Sequence, residues 1–218
     1  MSEPSGLVHS KKISLLGKTF QLYADKVMFW EERSLLIISD VHLGKATHFR
    51  KNGIAVPGNV HQQDIERLTH LISITNPNEV IFLGDLFHSE LNAEWGIFKD
   101  WLQNYPSIKF SLVIGNHDII HESTYKDAGL ELYKDYEVGQ FLFTHKEKKT
   151  SFYNISGHIH PSIRLNGPAK QSMRLPCFYF KPTKAYMPAF GGFTGTYTLH
   201  KSPRDIVFGI CNGELIKF

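Results

Sequence analysis

The sequence predicts an α/β sandwich built from mixed β-sheets. Three observations carry that prediction. Short, wholly apolar runs at 35–38, 80–83 and 110–114 alternate with segments of helical periodicity. The last 60 residues are rich in turn signals and read as β structure. At 218 residues, 42% of them hydrophobic and 21% charged, the chain has the composition of a globular protein with a sizeable core. No repeat, low-complexity tract or Pro/Gly-rich linker divides it. We therefore expect one domain over 1–218, with 1–34 as an N-terminal β extension and 162–218 as its β-rich C-terminal part.

Residues 13–16, 19–23 and 27–30 read as short strands joined by tight turns such as Leu16-Gly17-Lys18. Leu35-Leu36-Ile37-Ile38 is a compact apolar run, as expected of a strand buried on both faces. Val80-Ile81-Phe82-Leu83 and Phe110-Ser111-Leu112-Val113-Ile114 have the same character. Ile65, Leu68, Leu71 and Ile72 predict a helix over 64–74, stopped by Asn76-Pro77. Trp95, Phe98, Trp101 and Leu102 predict another over 94–102, closed by Pro106. Asn166-Gly167-Pro168, Gly191-Gly192, Gly195 and Asn212-Gly213 punctuate the β-rich end.

Several function classes drop out on composition. No apolar run approaches the roughly 18 residues of a membrane span, and the first 17 residues lack the apolar stretch of a signal peptide. Cys177 and Cys211 are too few for a disulfide framework or a thiolate zinc cluster, and Cys177 reads as a small core residue. The expectation is a cytoplasmic protein without a membrane partner. The net charge of +3 is unevenly spread: +3 over 1–60, −6 over 61–160 and +6 over 161–218. An acidic centre between basic ends suits carboxylates gathered for metal ions and cations facing a polyanion, or merely a solvated surface.

The positions of the acids and histidines decide between these. Each buried run ends in a polar cluster: Ser39-Asp40-Val41-His42, Gly84-Asp85, Gly115-Asn116-His117-Asp118, Thr144-His145 and Gly157-His158-Ile159-His160. Ligands of α/β folds bind beyond the carboxyl ends of strands, so five such clusters form a constellation. Carboxylate, imidazole and amide donors suit hard and borderline divalent ions, and a carboxylate has two oxygens with which to bridge a pair of them. The glycines before Asp85, Asn116 and His158 permit close approach or a sharp turn.

These five pieces, in this order, resemble the calcineurin-like metallophosphoesterases. The resemblance implies an αββα sandwich of two mixed β-sheets flanked by helices. It also implies two divalent ions, manganese foremost, with iron, zinc or magnesium as alternatives. Asp40, His42 and His160 would hold one ion; Asn116, His145 and His158 would hold the other; Asp85 would bridge them. A metal-activated hydroxide would attack the phosphodiester while His117 served as general acid to the leaving oxygen. Two departures stand out. Relatives with Gly-Asp-x-x-Asp use the second Asp to orient the catalytic His, but here that position is His88, leaving Asp118 as one candidate orienter and His88 as a phosphate contact. His145-Lys146-Glu147 replaces the frequent His-Glu-Pro.

A narrower similarity runs through Leu43-Gly44-Lys45, Phe49-Arg50, Gly53, Pro57, Gly84-Asp85-Leu86-Phe87-His88-Ser89, Arg174-Leu175-Pro176-Cys177-Phe178 and residues 188–195. It resembles the bacterial ligase-associated DNA damage response phosphoesterases of the PdeM kind. That implies a nuclease or phosphodiesterase acting on DNA, with a functional link to a DNA ligase and a helicase. Lys45, Arg50 and Arg174, with His88, are the candidate substrate contacts. The interleaving of Arg174, Lys181 and Lys184 with Phe178, Tyr179, Phe180 and Tyr186 suits a single strand held by charge and stacking, or a core strand with basic neighbours. Alternative functions are a small-molecule phosphodiesterase or pyrophosphatase acting on nucleotides, and a non-catalytic scaffold of the same fold.

Overall fold

In a computed structural model the chain is described over residues 9–45, 60–88, 91–167, 171–192 and 194–218. Two mixed β-sheets pack face to face. The first has seven strands in sequence order: β1 (Ser10–Leu15), β2 (Lys18–Tyr23), β3 (Val27–Trp30), β4 (Leu35–Ile38), β5 (Glu79–Phe82), β6 (Lys109–Val113) and β7 (Leu130–Tyr133). The β1–β4 pairs are antiparallel, closed by tight turns; β4 to β7 run parallel. The parallel half needs crossovers. Of these, α1 (Val60–Thr75) lies between β4 and β5, α2 (Ala93–Gln103) between β5 and β6, and α3 (Glu122–Asp127) between β6 and β7.

The apolar runs are buried on both faces because each face meets a different layer. Leu36, Ile38, Val80, Phe82 and Leu112 pack with Leu68, Leu71, Phe98, Trp101 and Tyr125 of the helices. Their neighbours of opposite parity, Leu35, Ile37, Ile81, Leu83 and Val113, pack against Phe141, Phe143, Ile155, Phe178 and Phe180 of the second sheet. A one-residue slip of β4 would exchange the two sets.

The second sheet contains β8 (Tyr136–Val138), β9 (Phe141–Thr144), β10 (Tyr153–Ser156), β11 (Pro161–Asn166), β12 (Ser172–Lys181), β13 (Lys184–Tyr186) and β14 (Tyr197–Thr198), in the order β14-β11-β12-β13-β10-β9-β8. To it β15 (Ile206–Cys211) joins at β12, and β16 (Glu214–Lys217) at β15. Its outer face carries a small cluster of Ile163, Leu175, Cys177, Tyr179, Tyr186 and Val207, against which Leu199 and Phe218 pack. Among the described residues, helices therefore flank the first sheet only. Phe178, Tyr179, Phe180 and Tyr186 are all buried, which closes the stacking role to them; the lysines beside them are paired, Lys181 with Asp205 and Lys184 with Glu147. Cys177 is core, and burial pushes its thiol up to about 12. No described helix is long and apolar enough to cross a membrane.

Candidate metal centre

Parallel neighbours end at the same edge of a sheet. In the first sheet β4, β5 and β6 are such neighbours, and the loops leaving them carry Asp40 and His42, Asp85, and Asn116 respectively. In the second, β9 and β10 are parallel; His145 stands just past β9, and His158 and His160 just past β10. The seven predicted ligands thus come from five strand ends at one rim. Two residues apart on a strand, Asp40 and His42 would be separated by about 7 Å. The backbone instead curls: Asp40, His42, Asp85, His158 and His160 all adopt left-handed φ, between 48° and 68°. For residues with a Cβ such a conformation costs roughly 1–2 kcal/mol each. It is held by a zipper between the first two loops, in which His42 N donates to Asp85 O (2.9 Å), Leu43 N to Leu86 O (2.9 Å) and His88 N to Leu43 O (2.8 Å). Glycine is needed where these loops touch. A Cβ on Gly157 would collide with the Ser39 hydroxyl and the Asp40 carboxylate, and one on Gly115 with Asp85.

Two groups of donor atoms result, Asp40–His42–His160 and Asp85–His145–His158, each with its ligand atoms within 4.8 Å of one another. In the first, His42 Nε2 lies 3.4 Å from His160 Nε2, and Asp40 Oδ1 lies 3.2 Å from His160 Nε2. In the second, His145 Nε2 lies 3.0 Å from Asn116 Oδ1, 3.1 Å from His158 Nδ1 and 3.3 Å from Asp85 Oδ1. Asp85 spans both, with Oδ2 3.9 Å from His42 Nε2. The outward nitrogens show which atoms face inward. His145 Nδ1 donates to the Leu83 carbonyl (2.9 Å) and His160 Nδ1 to the Gly195 carbonyl (3.0 Å), so each turns Nε2 inward. At the second group the bare His145 Nε2 therefore faces two further acceptors, Asn116 Oδ1 and Asp85 Oδ1. Asp40 and Asp85 are 0% and 2% exposed, a burial that carboxylates tolerate only beside cations or donors. The donor set fits divalent metal.

Burial and charge act differently on the individual donors. Burial pushes the Asp40 carboxyl up, but hydrogen bonding and charge from His160, with Ser39 and His145, outweigh it and hold the group below the usual carboxylate range. Burial drives His42 down to about 3, against the pull of Asp40, which leaves a neutral imidazole able to ligate. Burial, then the charges of His145 and Lys146, lower His158. His160 goes the other way: burial lowers it, but the hydrogen bond and charge of Asp40 prevail.

His117 is exposed, and its backbone N–H donates to Asp85 Oδ1 (2.9 Å). Its ring packs on His88 with centroids 4.1 Å apart, and His88 Nδ1 meets His42 Nδ1 at 3.2 Å. Asp118 does not orient His117. Its carboxylate accepts from the backbone N–H groups of Gly115, Asp85, Leu86 and Phe87 at 2.8–3.1 Å, tying the β5 and β6 loops together. His88 is the side chain against His117.

The expected substrate cations fare unevenly. Lys45 is half-buried and near enough that the charges of Asp85 and Asp40 act on it. Arg50, with Phe49, Gly53 and Pro57, lies outside the described residues. Arg174 is exposed opposite Arg164, four residues (about 13 Å) beyond His160 along β11, away from the ligand groups. Pattern reading missed Ser39, whose hydroxyl donates to Asp40, and the Gly195 carbonyl behind His160. Ser39 was legible as the neighbour of a buried acid; the carbonyl, 35 residues from its partner, left no sequence signal.

Among curated proteins none matches the sequence. The structure superposes on the nuclease MPE of Pseudomonas putida with a TM-score of 0.83 at 25% identity, covering 96% of this chain and 100% of that one. Yfce, a phosphoesterase from E. coli, aligns at 12% identity with a TM-score of 0.41 over 82% of this chain and 88% of that one. A protein of unknown function from Aquifex aeolicus, AQ665, aligns at 20% and 0.39 over 58% and 78%. Both of these superpose too loosely to bear on the site. Residues 33–192, which contain every donor of the two groups, match the calcineurin-like phosphoesterase family, and the chain is a member of it.

Proposed function

We propose that this protein is a dinuclear metal-dependent phosphodiesterase that cleaves DNA, a cytoplasmic nuclease of the DNA damage response working alongside a ligase and a helicase. The single observation that carries the two-ion reading is Asp85, whose two oxygens face different donor groups, Oδ2 toward His42 and Oδ1 toward His145. The likeness to a nuclease along the whole chain supports nucleic acid as the substrate. Asp40, His42 and His160 would hold one ion, and Asn116, His145 and His158 the other, with manganese the first metal to test and iron, zinc and magnesium next. The bound ions would acidify water and offset charge on the phosphate oxygens. The rest of the chemistry falls to the chain. Asp85 holds the two groups in register and, through the His117 N–H, fixes the loop that carries the acid. The exposed His117 ring is free to protonate the leaving oxygen, and the His88 ring packed on it restrains its orientation.

The test is hydrolysis of bis(p-nitrophenyl) phosphate and of a DNA oligonucleotide by wild type, Asp85→Ala and His117→Ala. Asp85→Ala should lose more than about 100-fold on both, since even outer partners of metal ligands are worth 10–100-fold, with metal content falling in parallel. His117→Ala should retain its metal and lose about 10²–10⁴-fold on DNA, but much less on the p-nitrophenyl ester, whose leaving group needs no proton. Equal loss on both substrates would remove His117 from the acid role. Cleavage of nucleotides without cleavage of DNA would favour a small-molecule enzyme.

A further inference from the structure

A groove of about 290 Å³ opens beside the second donor group, and Gly115, Asn116, His145, Lys134, Lys146 and Lys148 are among the residues that line it. The acids of this segment are already engaged. Asp135, also in the groove, holds Lys148 Nζ at 2.5 and 2.6 Å, and Glu147 pairs with Lys184 and the Tyr186 hydroxyl. Among the described residues, neither Lys134 nor Lys146 has an acidic partner, and both are exposed. Two uncompensated cations therefore line the same groove as two of the metal-ligand candidates.

We propose that this groove binds the phosphate adjoining the scissile one, so that the substrate is a polynucleotide strand and not an isolated diester. The inference rests on the phosphodiesterase reading and extends it. The groove is continuous with the centre, since Asn116 and His145 belong to both. Its charge is complementary to a backbone phosphate, and the charge of Lys146 already reaches His158. Flexible lysine stems suit point-charge contacts to phosphate that read no base. The departure at His145-Lys146-Glu147 acquires a purpose: the residue after the ligand supplies a cation to the strand, and the next acid is drawn off to β13.

The test compares wild type, Lys134→Gln/Lys146→Gln and a charge-matched control, Lys18→Gln/Lys217→Gln, whose lysines lie exposed at the ends of β2 and β16. Binding of a fluorescent 12-mer to the metal-free protein is followed by anisotropy across a salt series, with DNA and RNA strands of one sequence. Turnover of bis(p-nitrophenyl) phosphate is followed with manganese. The groove variant should bind the strand roughly ten-fold more weakly, with a log–log salt slope shallower by about 0.7, for the one phosphate no longer neutralised. Its turnover of the small diester should fall by much less than its strand affinity. A loss confined to DNA or to RNA would support the subsite and identify the backbone it holds. Wild-type affinity in the groove variant, or an equal loss in the control, would overturn the subsite and leave the phosphodiesterase reading standing. A wild type inert on the small diester with every divalent ion would sink both.

Discussion

The two donor groups are built differently. The first, Asp40 with His42 and His160, draws every ligand from left-handed backbone and leans on side chains for two of them, the Ser39 hydroxyl behind Asp40 and the His88 ring behind His42, while His160 alone has a main-chain partner, the Gly195 carbonyl. The second takes His145 from the end of β9 without positive φ and fixes it by the main-chain carbonyl of Leu83. It also opens onto the lysine groove. A carbonyl at a strand end moves only if the sheet moves, whereas a side-chain partner can be deleted singly. The first group should therefore be the fragile one and the second the robust one.

The largest effect is expected from Gly157→Ala. Its Cβ would meet the Ser39 hydroxyl and the Asp40 carboxylate in a fully buried place. Forcing such a clash costs about 1–3 kcal/mol, and an ion bound at Asp40 should be lost before one at the second group. Thermal unfolding combined with metal analysis reads both; a protein that melts normally and holds two ions would break the comparison. Next comes His88→Ala, which strips the partner from His42 Nδ1. Loss of such an outer partner weakens a metal by about 10–100-fold. Calorimetric titration should show one of two ions weakened, and equal weakening of both would count against the asymmetry.

The smallest effect sharpens the comparison from behind. Asp64 lines a small cavity with His42 and Lys45, and burial pushes its carboxyl up to about 6, although Arg67 and Lys26 pull the other way. An acid whose pKa is higher in the folded chain stabilises it at low pH and loses that contribution as pH rises through the folded value. Between pH 4 and 6 the metal-free wild type should therefore lose about 1 kcal/mol per pH unit from this residue. Asp64→Asn removes that slope. Urea unfolding of both proteins at pH 4.5, 5.5 and 7 measures it, and parallel curves would mean that Arg67 keeps Asp64 ionised throughout.

Much of this was legible because local patterns encode it. The runs at 35–38 and 27–30 became β4 and β3 with their full lengths. The helix expected over 64–74 starts earlier, at Val60, because its first turns bury His61 and Asp64, polar residues that an apolar period does not count. The sequence pattern offered no sign of α3, which is six residues long and buries one side chain, Tyr125. Nor did it mark β8, at three residues. Segments that short carry too little periodicity to register.

By itself, the sequence determined which residue types stand at the strand ends, their order, and hence a chemistry of carboxylate, imidazole and amide donors. Those are properties of adjacent residues, and a linear pattern records them. Only the tertiary structure decided that Asp85 faces both groups, that Asp118 ties loops instead of orienting His117, that Arg174 lies away from the centre and that Lys134 and Lys146 line one groove beside it. Each of these depends on two sheets closing over one core, which brings together residues from β5, β7, β9 and β10 that share no local period. Packing of Leu35, Ile37 and Ile81 against Phe143 and Ile155 sets that closure, and the site inherits its geometry.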